Sequence, residues 1–128
     1  MICRAYCTVS KDPLLQTRKN AKVKVNIKGR STEGVVERAE NVLSQLVPLD
    51  SMEKMQITVS FEILSCDGCL ADYIVNLAVY TMTVGNIVLR DTVTSATCCL
   101  TADDRLVLDP TNEDLKESKG HVRVAVSV

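Results

Sequence analysis

Between Met55 and Ile63 every second residue is apolar: Met55, Ile57, Val59, Phe61 and Ile63 alternate with Gln56, Thr58, Ser60 and Glu62. A helix repeats about every 3.6 residues and cannot gather that pattern on one side, whereas successive side chains of an extended chain point to opposite faces. The segment is therefore expected to be a central strand with its odd-numbered residues in the core. Val23, Val25 and Ile27 alternate in the same way with Lys22, Lys24, Asn26 and Lys28, as do Val122, Val124, Val126 and Val128 with their neighbours. Both stretches read as further half-buried strands. Two more strands are expected at residues 2–9 and 92–100, and the Ala102-Asp103-Asp104 turn leads into a short one at 105–108.

Two helices are expected between these strands. One begins near Ser31, carries Glu33 and Glu37 where the positive end of the helix dipole favours acids, and lines up Val35, Ala39, Val42, Leu43 and Leu46 before Pro48 stops it. The other covers residues 70–84, follows Gly68 and has Gly85 as its terminal cap. It is apolar nearly all round, so it is expected to be buried. Its β-branched residues suit a strand too, but its length favours a helix. The element order predicts one α+β domain over residues 1–128, with two main helices packed on a mixed sheet. Residues 12–21, with Pro13 and several polar side chains, read as a loop.

A chain of 128 residues, 46% apolar, has enough material for a single modest core. Its net charge of -1 creates no overall field toward nucleic acid or membrane, so any RNA contact has to be local. There is no basic-then-apolar leader pattern, and Asn76 and two threonines interrupt the longest apolar run, at 73–84. An intracellular protein without a membrane span is expected, and in that compartment the six cysteines read as reduced, mostly buried thiols.

Four groupings bear on chemistry. Cys66-Asp67-Gly68-Cys69 has the spacing of half a zinc or redox site, but Cys98 and Cys99 are adjacent and supply no second half, so it reads as a turn and no metal is expected. Asp109, Glu113 and Asp114 belong to an acidic stretch of the kind that holds a divalent cation, or simply faces water. Lys22, Lys24, Lys28 and Arg30 lie in a basic stretch and are the candidates for touching RNA phosphates, although with three tyrosines, one phenylalanine and no tryptophan the chain is short of base-stacking groups. One histidine, His121, and the lack of a glycine-rich phosphate loop leave no nucleophile arrangement to read.

Cys66-Asp67-Gly68-Cys69-Leu70 with the apolar helix after it, then Asn86-Ile87-Val88-Leu89-Arg90-Asp91, Thr97-Cys98-Cys99-Leu100 and Leu106-Val107-Leu108-Asp109-Pro110-Thr111, resemble in this order the RNase PH family. In that family a D-G loop opens a buried helix, a turn follows, and a strand pair leads to L-D-P or L-D-L. The resemblance spans residues 1–128 and implies an RNase PH-like βαβ fold, without the family's first strand and its C-terminal helix. Active members carry an arginine after the D-G loop, where a guanidinium grips phosphate in bidentate fashion; here Ala71 stands in that place. They also carry a pair of aspartates, whose places fall on Leu115 and His121, or on Asp114 and Gly120 after a shift of one residue.

The resemblance thus implies a non-catalytic ring subunit of the RNA exosome. It would have no cofactor, other RNase PH-like subunits as partners, RNA passing through the ring, and a nuclear, nucleolar and cytoplasmic location; a free-standing homodimer outside the exosome is a separate, third reading. The alternative is a metal-dependent or phosphorolytic 3'-to-5' exoribonuclease built on Asp109, Glu113 and Asp114.

Overall fold

In the computed structural model, which describes residues 2–11, 21–29, 33–52 and 55–128, the alternating segment is strand β3 (Met55–Ser65). It is the central strand of its sheet, antiparallel to β1 (Ile2–Lys11) and parallel to β2 (Lys22–Lys28). Ile57, Val59 and Phe61 are buried, as their parity requires, together with Val23 and Val25 across the register from Ile57 and Val59. Parallel neighbours need a crossover, and helix α1 (Glu33–Leu46) provides it. Ala39, Leu43 and Leu46 are the buried line of α1, with Val35 and Val42 half-buried beside them. Its Glu40 side chain accepts a 2.9 Å hydrogen bond from the Val25 amide and so satisfies a donor on the open edge of β2.

Helix α2 (Leu70–Val84) lies between two sheets. On one side it meets β1 and β3, and on the other β4 (Val93–Leu100), the middle strand of a second, antiparallel sheet with β5 (Leu106–Leu108) and β6 (Gly120–Ser127). α1 packs against α2 and β2. The α+β class holds; its mixed sheet is β1-β3-β2, and the last three strands form a sheet of their own. A short helix, α3 (Asn112–Glu117), joins β5 to β6.

Gly85 caps α2 as expected, its amide reaching the Thr81 carbonyl at 2.9 Å, and the left-handed residue is the next one, Asn86 (φ +56°), after which the Ile87 amide reaches back to the Met82 carbonyl at 2.9 Å. α2 is not covered all round, since Tyr80 and Val84 face water. The largest difference from the sequence reading is β6, whose Val122, Val124 and Val126 lie open on the sheet's outer side because no element of the described chain covers them. The loop expected at 12–21 lies, but for Ala21, outside the described residues, as does the start of the first helix at Ser31.

Candidate functional site

Two of the segments that carry the family resemblance, residues 66–70 and 106–111, meet at the N-terminus of α2. Gly68, at φ +81°, and Cys69, at φ +50°, turn the chain sharply into the helix, and a Cβ on Gly68 would lie 2.4 Å from the carbonyl oxygen of Pro110. Glycine alone tolerates both the backbone angle and the approach. The Cys69 thiol donates to that same carbonyl at 3.4 Å, and the Asn112 amide donates to the Asp67 carboxylate at 3.1 Å. The Cys66 thiol bonds within the turn, to the Gly68 carbonyl. Burial pushes the Cys69 thiol above its ordinary range, so it stays protonated and is a poor nucleophile.

In the first turn of α2 sits Asp72, the helix's only charged residue, 2% exposed. Ser95 and Thr97 on β4 donate their hydroxyls to its two carboxylate oxygens. Arg123 on β6 reaches the same place: its Nε is 3.7 Å from Asp72 Oδ2 and donates to Thr97 Oγ1 at 3.0 Å. A buried carboxylate demands such partners. Four residues from three elements therefore form one polar node under the second sheet. Beside it Asn76 holds both the amide and the carbonyl of Ser95, at 2.7 and 2.9 Å, on the side of β4 that short β5 does not reach.

A cavity of about 480 Å³ opens at this corner, lined among others by Gly68, Cys69, Ala71, Leu115 and Arg123. Ala71, in the place of the family's arginine, is buried, and Leu115 is half-buried. Arg123 is the only cation among the lining residues, and it already faces Asp72. His121 is exposed at the start of β6 and is not among the lining residues.

The acidic candidates separate. Asp109 is exposed in a left-handed conformation (φ +52°) after β5, and Glu113 is exposed on α3. Asp114 accepts from the amide and hydroxyl of Thr111 at 2.9 Å in a capping box, and these donors hold its carboxyl below the usual range. Among the described residues no three His, Cys, Asp or Glu side chains are arranged to hold a metal ion. Lys22, Lys24 and Lys28 form an exposed row on the outer face of β2, with Lys28 3.6 Å from Glu62; Arg30 lies outside the described residues. Cys69 and Cys99 are buried, while Cys3, Cys7, Cys66 and Cys98 are half-buried.

Asp72, Ser95 and Arg123 were not singled out by sequence reasoning, and Thr97 was named only within a resemblance segment. The available signal was a lone acid in an otherwise uncharged helix and a lone arginine in a valine-rich strand.

No protein-family model matches the chain, and no curated protein matches it in sequence. Among solved structures, the crystal structure of rice (Oryza sativa) Rrp46 matches with a TM-score of 0.78 at 13% sequence identity, covering 97% of this chain and 69% of that one. The fold is therefore RNase PH-like and similar to that of Rrp46, as the resemblance implied.

Proposed function

We propose, from this shared fold, that the chain is a non-catalytic RNase PH-like subunit of an exosome ring. It would support 3'-to-5' processing and degradation of RNA, ribosomal RNA included, by holding the ring together and channelling RNA. Its partners would be other RNase PH-like subunits, and its location the nucleus, nucleolus and cytoplasm.

The observation that carries the silent part of this reading is the corner at the start of α2. Phosphorolysis brings an anionic nucleophile to an anionic phosphodiester, and a site that performs it needs a guanidinium free to neutralise both. Here the arginine's place is a buried Ala71, and the one cation at the cavity, Arg123, faces the Asp72 carboxylate. A positioned acid typically contributes about 10²–10⁴-fold, and Leu115 supplies none. In the nuclease alternative Asp114 would have to give up its bonds to Thr111 before joining Asp109 and Glu113 around a cation. RNA contact, in either reading, falls first to Lys22, Lys24 and Lys28.

Two measurements test the proposal. The purified chain, incubated with single-stranded RNA, magnesium and inorganic phosphate, should release neither nucleoside diphosphates nor monophosphates above background. Tagged in its native source, it should carry other RNase PH-like chains in stoichiometric amount. Phosphate-dependent release that tracks the protein and falls with Asp109→Ala, Asp114→Ala or His121→Ala would overturn the silent reading.

A further inference from the structure

A second cleft, away from the corner at the start of α2, lies between α1 and β6. Its volume of about 660 Å³ is that of a small-molecule site. Arg38, Asn41 and Gln45, three and four residues apart on α1, share one side of the helix and form one wall. Arg123, from the inward side of β6, stands on the other. Two guanidiniums therefore open on one cleft.

Arg38 is the charge there that the chain does not answer. It is half-buried, and its Nε is buried with no hydrogen-bond partner. Buried donors of this kind are ordinarily satisfied. The positions that could pair with it along the helix, three and four residues away, hold Gly34, Val35, Asn41 and Val42, none of them an acid. Glu40 is spent on the Val25 amide, at 2.9 Å. Glu37 is exposed at the rim and, as the next residue in sequence, is not placed to face Arg38. Arg123 meets Asp72 and Thr97 through its Nε, and the outer fork of a guanidinium carries four more N–H groups.

This set of donors exceeds what a carboxylate can take, since a single guanidinium fork fills both of its oxygens. A phosphate has oxygens enough for two forks and a larger charge to offset. The carboxamides of Asn41 and Gln45 extend the polar wall for roughly 10 Å along the helix from Arg38, further than a bare ion reaches. They both donate and accept, which suits the hydroxyls and ring nitrogens of an organic body.

We infer that the cleft between α1 and β6 binds a small phosphorylated molecule, its phosphate on Arg38 and Arg123 and its organic part along Asn41 and Gln45. The inference is independent of the ring reading. Neither Ala71 nor Leu115 lines this cleft, which shares only Arg123 with the corner cavity, so either conclusion can fail alone.

Isothermal titration calorimetry of the purified chain with adenosine 5'-monophosphate, inorganic phosphate and malonate tests it. The nucleotide should bind more tightly than inorganic phosphate, and malonate more weakly than either. Arg38→Gln and, separately, Asn41→Asp should each weaken nucleotide binding by about 10-fold or more, with Arg38→Lys in between because it keeps the charge and loses the fork. Without ligand, Arg38→Gln should not lower the melting temperature, because the Nε it removes has no partner to lose. The nucleotide should raise the melting temperature of the native chain and not that of the variant. Nucleotide binding that survives both Arg38→Gln and Asn41→Asp would put the phosphate elsewhere and overturn the inference. So would malonate binding as tightly as the nucleotide, inorganic phosphate doing the same, or no binding of any of the three at millimolar concentration.

Discussion

Gly68 and Pro110, far apart in sequence, stand so close that any side chain at Gly68 would begin 2.4 Å from the Pro110 carbonyl oxygen. Because the obstacle is backbone, and the Gly68 φ of +81° is itself unfavourable for other residues, neither problem is relieved by a change of rotamer. Gly68→Ala is expected to cost about 2–4 kcal/mol. Urea unfolding measures it, and a loss below the error of the method would mean that the turn and the segment after β5 separate freely.

Removing Asp72 should be costlier than removing Arg123. Asp72→Ala leaves the Ser95 and Thr97 hydroxyls and the guanidinium without their shared acceptor in a buried place, at an expected cost of about 3 kcal/mol. Arg123 is 28% exposed at its side chain, and water takes over part of its role, so Arg123→Ala should cost about half as much. A double-mutant cycle checks the coupling, and strictly additive losses would show that the pair does not interact.

Side-chain parity along β3 predicts a contrast between neighbours. Phe61 is fully buried and Ser60, next to it, points to the polar face. Phe61→Ala should destabilise by about 3–5 kcal/mol, and Ser60→Ala by no more than about 0.5 kcal/mol. Equal effects in a thermal melt would contradict the register of the sheet.

The cap of α3 should respond to acid. Thr111 holds the Asp114 carboxyl below its ordinary range, so the folded chain takes up that proton at lower pH than the unfolded chain does. The contribution is complete above the usual aspartate range and disappears as pH falls through the depressed value. The protection of the Leu115 amide against exchange, relative to the unfolded chain at the same pH, should fall over that acid range, since this N–H closes the first turn of α3 on Thr111, and Asp114→Asn should remove that fall. A protection factor at Leu115 that does not change with pH in the native chain would show that the box does not hold α3.

How much of this was legible in the sequence follows from what kind of property each feature is. The parity of β3, the alternation of β2 and the limits of α2 at residues 70 and 84 are local: strand and helix periods are written in consecutive residues, and each was readable without coordinates. Valine alternation in β6 was equally legible as a strand, but whether its apolar side is covered depends on which element lies opposite, and among the described residues none does. Tertiary structure alone decided that Asp72 would be buried beneath β4 and β6, because a helix's sequence does not say which hydroxyls another sheet brings to it. It also decided that the C-D-G-C turn would close against Pro110. Both depend on side chains and backbone brought together across more than twenty residues, a distance over which periodicity carries no information.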